Sequence, residues 1–265
     1  MYPTLIQFGS FRIDTYSVIW FIALSIAIIW SIKRLKLYEL NEDESRRIMA
    51  ISFMFMILGA MTLEHIHDIP SYVRNPSSIP SLSSWGLSEM GALLGAFISS
   101  LVLCIFSRKV SFMKLCDVAI IPIMLSITIG RWGCFLNGCC LGQPSKFCLA
   151  VHFPFDKIGV TRHPVQIYYS VIAFVIMLIL IYAEKKILPL QEKNYHSVTT
   201  PLGIILYSLM RFAIVPVRDE YSLWVMIRDS ATYQVLAAIF PLVCVWLMYS
   251  LLKLKTENSY RQNKP

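Results

Sequence analysis

The chain has 265 residues, of which 56% are hydrophobic and only 15% are charged, and its mean hydropathy is +0.60. An ordinary soluble domain carries about 25% charged residues, so this composition excludes a typical soluble globular protein. The net charge of +8 comes from basic residues in short clusters between apolar runs, which argues against a basic surface for nucleic acid. We therefore expect a single membrane domain over residues 1–265 with no nucleic-acid partner.

Seven apolar runs follow one another along the chain. A helix needs about 20 apolar residues to cross the hydrocarbon core of a bilayer, and these runs are too long and too uniform for the strands of a membrane barrel. The sequence therefore predicts an all-α integral membrane protein, a bundle of seven transmembrane helices. The expected spans are residues 15–32, 48–63, 86–107, 115–130, 165–183, 201–217 and 231–252.

The orientation follows from the basic residues in alternate loops, because cytoplasmic loops are enriched in Lys and Arg. Fifteen of the 24 Lys and Arg residues fall on one side of the predicted bundle and nine on the other. The richer side is expected to be cytoplasmic. This places the N-terminus outside and the C-terminus in the cytoplasm of a multi-pass protein.

Two arginines interrupt or end apolar runs. Arg131 closes the fourth run and Arg211 lies inside the sixth, where an ionised side chain costs at least about 2.5 to 3.5 kcal/mol on insertion scales. Each arginine therefore needs a partner. An ion pair with Glu64, Glu89 or Asp117 is one alternative, and an anionic ligand is the other.

The segment from 131 to 164 is the longest without a strong apolar run, and it is expected to face outward. Glycines and cysteines concentrate at its start, and glycine lets backbone turn sharply or approach a ligand closely. Non-helical backbone at membrane depth survives only where it lines a cavity or is buried in protein. The sequence therefore predicts a lipid cavity that opens outward, floored by this segment.

A longer motif overlaps this segment. Asp117 to Gly142 reads DVAIIPIMLSITIGRWGCFLNGCCLG, which resembles the prolipoprotein diacylglyceryl transferase family, whose pattern is D-x-x-A-x-x-x-P followed by G-R-x-G-N-F-x-N-x-E-x-x-G. Two positions depart from it, because Cys134 and Cys139 stand where the family has Asn and Glu. Asp117, Ala119 and Pro122 match the first part of the pattern in residue type and order, at shorter spacing. The residues that match the second part are Gly130, Arg131, Gly133, Phe135, Asn137 and Gly142.

Further matches occur in the same order along the chain. Tyr16 matches a tyrosine at the head of the first helix, Gly59 and Ala60 match the start of G-G-R, and residues 162–168 match R-H-P-x-Q-L-Y. Arg211 and Arg218 match two arginines spaced seven apart. The resemblance implies transfer of diacylglycerol from phosphatidylglycerol to a lipobox cysteine of a prolipoprotein, in the bacterial cytoplasmic membrane.

The resemblance also implies a site. Guanidinium groups stay charged in apolar surroundings and grip phosphate oxygens with two hydrogen bonds, which suits a phospholipid headgroup. Tyr16 could instead anchor the first helix at the interface, His163 could merely start a helix and Asn137 could hold a turn. The expected catalytic residues are Arg131, Arg211 and Tyr16, and the expected substrate-binding residues are Arg131, Asn137, Gly142, His163, Gln166 and Arg218.

One departure concerns proton transfer. Residues 85–95 align with the family stretch G-G-x-S-F-H-G-G-L-I-G, which places Met90 at a histidine implicated in catalysis. Met90 cannot accept a proton. Glu89 could substitute as a base, although a one-residue offset turns a helical side chain by about 100°.

The cysteines leave several alternatives open. Cys134, Cys139, Cys140 and Cys148 all fall in the outward segment, where disulfides are permitted, so a disulfide, buried thiols or a redox-active pair are all possible. The run lacks the C-x-x-C-like spacing of zinc sites, so no metal or other cofactor is expected. His65 and His67 are expected at a solvated helix end.

Four functions are therefore compared. The first is the diacylglyceryl transferase reaction with an altered site, and the second is a phosphatidylglycerol-dependent transferase with another acceptor. The third is a membrane thiol oxidoreductase that uses the outward cysteines. The fourth is a non-catalytic lipid-binding scaffold.

Overall fold

A computed structural model describes most of the chain. It covers residues 4–8, 11–65, 89–154, 156, 159–187 and 197–219, together with the isolated positions 73, 243, 246, 249 and 250. The predicted span at 231–252 lies outside the described residues except at four of these isolated positions. His67 also lies outside them.

Six helices account for the other six predicted spans, which confirms a mostly helical protein. Their ends extend beyond the apolar runs in most cases, because polar first and last turns belong to the helices but not to the hydrophobic pattern. The helices are α1 (Thr15–Arg34), α2 (Glu42–His65), α3 (Glu89–Ser107), α4 (Phe112–Asn137), α5 (Val165–Ile187) and α6 (Thr199–Ile214).

Four segments among the described residues are long and apolar enough to cross a membrane. They are Thr15–Tyr38, Glu42–Leu63, Phe112–Asn137 and Val165–Lys186. Shorter apolar helical segments cover Gly91–Ser107 and Thr199–Ile214. The composition therefore corresponds to a membrane protein, with four candidate spans by length and hydropathy.

The chain divides into two compact units, one of which comprises residues 34–115. In this unit α2 packs closely on α3 through glycines. A methyl group added at Gly59 would lie 2.4 Å from the carbonyl oxygen of Gly91, and one at Gly95 would lie 2.2 Å from that of Phe55. Small residues four apart, such as Gly91 and Gly95, let helix backbones approach closely in membranes.

The other unit contains residues up to 33 and from 116 onward. Its core joins α4, α5 and α6, and the Ser170 hydroxyl of α5 donates a 2.8 Å hydrogen bond to the carbonyl oxygen of Thr128 in α4. The members buried most deeply are Ile121, Val165, Tyr169, Ala173 and Leu180.

Asp117 joins the start of α4 to the start of α6. Its buried carboxylate accepts hydrogen bonds from the Ser197 hydroxyl at 2.8 Å and from the Thr200 backbone N–H at 2.7 Å. Arg131 lies 14 residues further along the same helix, which at about 1.5 Å per residue is about 21 Å away. The ion pair between Asp117 and Arg131 considered from the sequence is therefore wrong.

The part of the chain that the structure describes also contains two small antiparallel hairpins, which the sequence does not predict. One pairs β1 (Thr4–Phe8) with β2 (Phe11–Asp14) before α1, and the other pairs β3 (Val151–His152) with β4 (Thr161–Arg162). Strands of two to five residues are too short to produce a recognisable alternation of apolar and polar residues.

Candidate functional site

The C-terminus of α4 turns the chain back on itself. Gly138 adopts a left-handed backbone with φ 72°, its N–H bonds to the Phe135 carbonyl at 3.2 Å, and the Cys139 N–H bonds to the Cys134 carbonyl at 3.1 Å. This pair of bonds is the Schellman arrangement that commonly ends helices at glycine. Cys140 follows with φ 56°, so the two cysteines after the helix fold back towards Cys134 in its last turn.

The thiols of Cys134, Cys139 and Cys140 meet as a result. All three Sγ atoms lie within 4.8 Å of one another, and all three residues are free cysteines. Hydrogen bonds from Cys134 and Cys139 lower the pKa of the Cys140 thiol, and the charges of Arg131 and Arg218 lower it further. The sequence places these cysteines in one segment but does not predict the cluster.

Arg131 and Arg211 are both buried, and both lie against the ring of Tyr169. The guanidinium carbon of Arg131 is 4.5 Å from the ring centre and that of Arg211 is 5.7 Å from it. An aromatic face attracts cations within about 6 Å, so both guanidinium groups interact with one ring. The structure thus brings together arginines that are 80 residues apart in the sequence.

Tyr169 was missed as a site residue, although a signal for it exists. Gln166 is an expected binding residue at the start of α5, and residues three apart share a helix face. Gln166 is buried, and its side-chain amide donates a 2.5 Å hydrogen bond to the carbonyl oxygen of Cys139. One face of α5 therefore contacts both the turn that carries Cys139 and Cys140, here called the cysteine turn, and the arginine pair of Arg131 and Arg211.

The segment that follows the cysteines is held between two neighbouring segments by backbone hydrogen bonds. On one side Gln143 donates to Val217 at 2.8 Å, and on the other His163 donates to Gln143 at 3.1 Å. Gly142 pairs with Arg218 in an antiparallel bridge. The two expected binding residues Gly142 and Arg218 are thus direct neighbours.

Gly142 leaves no room for a side chain. A methyl group on it would lie 2.3 Å from the carbonyl oxygen of His163, which is a backbone atom and cannot swing away. Glycine is required here for close approach of two chain segments.

Arg162 links these segments through side-chain hydrogen bonds. Its guanidinium donates hydrogen bonds to the carboxylates of Asp156 and Asp219, and a further one at 3.1 Å to the carbonyl oxygen of Gly142. The hydrogen bond to Asp156 raises the pKa of Arg162. Through these contacts Arg162 holds the segment around Gly142 in position.

His163 points to a different set of groups. Its Nδ1 lies 3.1 Å from the Tyr168 hydroxyl, and its ring centre is 5.9 Å from that of Phe147. The described contacts therefore do not join His163 to the thiols or to the arginine pair, although its carbonyl oxygen abuts Gly142.

Tyr16 and Asn137 both belong with the cysteines. Tyr16 stands in the first turn of α1 and interacts electrostatically with the three thiols and with Arg131. Asn137, the last residue of α4, has its side chain beside the thiol of Cys139. Both lie near the charged groups expected to bind substrate.

The site thus combines a buried pair of guanidinium groups with a group of polar and thiol side chains at one end of α4. Such an arrangement can bind an anion, since guanidinium groups in a low-dielectric setting stabilise negative charge strongly. Arg218 adds a third positive charge near Cys140. The residues available to contact an anion and its attached groups are Tyr16, Arg131, Asn137, Gln166, Arg211 and Arg218.

Comparison with known proteins identifies the family. The family model described as prolipoprotein diacylglyceryl transferase matches residues 3–250. A protein of Clostridium tetani named phosphatidylglycerol–prolipoprotein diacylglyceryl transferase is 31% identical over 83% of this chain and 86% of its own length. Proteins of the same name from Clostridium novyi and Staphylococcus haemolyticus are 27% and 30% identical, over 99% and 91% of this chain and 100% and 86% of their own lengths.

These matches span nearly the whole chain and agree with the resemblance seen in its motifs. Together with the apolar helices, they identify a multi-pass bacterial membrane protein. The chain belongs to the prolipoprotein diacylglyceryl transferase family.

Proposed function

We propose that this chain transfers the diacylglyceryl group of phosphatidylglycerol to the thiol of a prolipoprotein cysteine. The observation that carries the proposal is the pair of buried guanidinium groups of Arg131 and Arg211, which share the Tyr169 ring. The names of the relatives supply the reaction, and the arginine pair supplies a place for its phosphate.

The reaction requires stabilisation of a leaving phosphate. The acceptor sulfur forms a bond to the terminal glyceryl carbon, the bond from that carbon to the phosphate oxygen breaks, and its electron pair leaves on glycerol phosphate. Positive groups aimed at that oxygen lower the barrier because negative charge grows there. Arg131 and Arg211 fill this role as catalytic residues in the proposal.

Other residues position the two substrates. Tyr16 is assigned to catalysis beside Arg131, because it interacts with that arginine and with the thiols. Asn137, Gly142, Gln166 and Arg218 are assigned to substrate binding around the cysteine turn. His163 is kept as a binding residue through its backbone, which contacts Gly142.

The membrane arrangement is part of the same proposal. It takes residues 1–265 as one membrane domain, with 231–252 as the seventh helix. The cavity opens outward to lipid, with the N-terminus outside and the C-terminus in the cytoplasm. Its support is the distribution of basic residues between alternate loops, and the acceptor is the lipobox segment of a prolipoprotein at the outer face.

A transfer assay tests the function. Purified protein is given labelled phosphatidylglycerol and a lipobox peptide, and label on the peptide is measured. Arg131→Lys and Arg211→Lys keep the charge but lose the planar fork, so each is expected to lower turnover by about 10²-fold, within the range for loss of a transition-state donor. Arg47→Lys is the matched control, because that side chain is 73% exposed.

Near-normal turnover in both variants would remove the phosphate-binding role. A thiol oxidoreductase is the second candidate, favoured by the three free thiols of the cluster. It predicts no transfer of label by the wild-type protein, and thiol–disulfide exchange that survives both arginine substitutions.

A further inference from the structure

The cysteine cluster has the dimensions of a metal site. Three Sγ atoms lie within 4.8 Å of one another, and in a tetrahedral zinc site with Zn–S bonds of about 2.3 Å the sulfurs are about 3.8 Å apart. Small rotations about the Cα–Cβ bonds would close the difference. The linear spacing of the cysteines does not predict a metal site, because it contains no C-x-x-C motif. The turn that ends the helix at Gly138 brings the sulfurs together instead.

The charges around the cluster match such an ion. Zinc with three thiolates carries a net charge of −1, and Arg131 and Arg218 both act electrostatically on Cys140. Two of the three cysteines, Cys134 and Cys139, stand where the family pattern has Asn and Glu.

Gln166, which is hydrogen-bonded to the backbone of Cys139, carries a buried acceptor atom. Gln166 is 1% exposed, its amide nitrogen binds the Cys139 carbonyl, and its Oε1 has no hydrogen-bond partner in the described part of the chain. A buried acceptor without a partner is costly. A hydrogen-bond donor on a bound ligand or water would satisfy it.

We propose that Cys134, Cys139 and Cys140 bind one zinc ion, and that the acceptor thiol takes its fourth coordination position. This rests on the proposed function. Zinc sites with three protein ligands keep the fourth position open for substrate or water, and a thiol that coordinates the ion loses its proton outright.

Transfer of the diacylglyceryl group to the acceptor sulfur then needs no further reactant. The acceptor thiol releases its proton to solvent as its sulfur binds zinc. That sulfur attacks the terminal glyceryl carbon, the carbon–oxygen bond to phosphate breaks, and the electron pair leaves on glycerol phosphate beside Arg131. The thioether product has no negative charge and binds zinc weakly, so it departs.

Metal binding tests the first half of the proposal. Full-length protein is purified under reducing conditions, loaded with Zn²⁺ and analysed for metal content and affinity against a chelator. One ion per chain is expected for the wild type and for Cys148→Ser, which alters an exposed cysteine outside the cluster. Cys140→Ser and Cys139→Ser should each weaken binding by at least about 100-fold, the upper end for loss of a mere supporting contact.

One readout and the choice of positions protect this test against misfolding. Thermal unfolding of each metal-free variant is compared with that of Cys148→Ser, and the half-buried positions 139 and 140 are used because Cys134 is only 3% exposed. Equal zinc affinity in wild type and both cluster variants would overturn the proposal. A disulfide between any two of the three cysteines in protein taken directly from membranes would also overturn it.

Co²⁺ in place of Zn²⁺ tests the acceptor role. A lipobox peptide should change the visible spectrum of the cobalt protein, whereas the same peptide with Ser in place of its Cys should not. An unchanged spectrum would refute the fourth-ligand role.

The transfer assay separates this inference from the function on which it rests. If wild type, Cys139→Ser and Cys140→Ser all transfer label equally, the zinc role fails and the transferase stands. If zinc binds and the cobalt spectrum responds but no label moves, the transferase fails and the metal site stands.

Discussion

Arg131 lies over the face of Tyr169, with its guanidinium carbon 4.5 Å from the ring centre, inside a region where the arginine is only 5% exposed. Arg211 approaches the same ring at 5.7 Å. Like charges repel each other, and the electron-rich face of the shared ring offsets part of that cost. An anion that contacts both guanidinium groups would add a favourable interaction, so the pair is expected to be more stable when phosphate is bound.

The first prediction concerns that ring. Tyr169→Leu removes both cation–π contacts and should lower the free energy of unfolding in detergent by about 2 to 4 kcal/mol, at up to about 2 kcal/mol for each desolvated contact. Tyr169→Phe keeps the ring and removes a hydroxyl that has no hydrogen-bond partner among the described residues. It should therefore unfold like the wild type. Equal losses in both variants would show that the hydroxyl and not the ring matters.

The second prediction concerns Gly142. Gly142→Ala should force its segment away from His163, whose carbonyl oxygen would lie 2.3 Å from the new methyl group. Because Arg218 is paired with this residue, transfer should fall by about 100-fold, the cost of about 1 Å of misplacement in an active site. Gly159→Ala is the control, since that glycine has open space around it. Its φ of +82° makes alanine strained by about 1–2 kcal/mol, yet transfer should persist.

The helices were predictable because burial in lipid demands long apolar runs, but their ends were not. The start of α2 shows why: the apolar run begins at residue 48, whereas the helix begins at Glu42. Asn41 caps the helix by accepting a 3.0 Å hydrogen bond from the Glu44 N–H. Acidic residues in the first turn stabilise the helix because negative charge interacts favourably with the positive end of the helix dipole. Hydropathy does not detect a polar first turn.

The site was partly predictable. Arg131 and Arg211 were recognised from the sequence because an ionised side chain in an apolar run needs a partner or a ligand. The structure places both against one ring. The cysteine cluster did not stand out, because the spacing of Cys134, Cys139 and Cys140 fits no linear metal motif. Their meeting depends on a left-handed turn at Gly138, which only the three-dimensional path of the chain reveals.

The third prediction uses the lowered pKa of Cys140. A thiol whose pKa is depressed remains a thiolate as pH falls below its usual value of about 8.5, so its alkylation should change little between pH 8 and pH 6 in reduced, metal-free protein. An ordinary thiol loses about tenfold in rate for each pH unit below that value. The measurement is mass-spectrometric labelling of Cys140 by iodoacetamide, with urea-unfolded protein as the control. A tenfold fall per unit in the folded protein would contradict the effect of the neighbouring thiols and arginines.

The fourth prediction concerns topology. Reporter fusions after Glu42 and Ser111 should score cytoplasmic, and a fusion after Lys146 should score external, because 15 of the 24 basic residues fall in one set of alternate loops. Moving basic residues between loops gives the control, since the orientation should respond to them. An external score at Glu42 would reverse the orientation and place the cysteine turn on the cytoplasmic side.

The fifth prediction concerns Met90, which lies in the first turn of α3 at the position where the resembling family has a histidine. Met90→His should raise transfer to a lipobox peptide at pH 7 in protein stripped of metal by a chelator, because an imidazole can accept the proton of the acceptor thiol. The gain has a ceiling. A free thiol with a pKa near 8.5 is already a few per cent thiolate at pH 7, so complete deprotonation adds only about 30-fold.

The gain should also depend on conditions in two ways. It should shrink as pH approaches 8.5, since the acceptor then ionises unaided, and it should disappear when the protein is loaded with Zn²⁺, since coordination already removes the proton. Met90→Gln serves as the control, because its side chain is polar but does not accept a proton near neutral pH. Flat activity at pH 7 in metal-free Met90→His, with phosphatidylglycerol binding intact, would mean that deprotonation of a thiol is not limiting. The acceptor would then be a nucleophile other than a lipobox cysteine, or the protein would have a non-catalytic role.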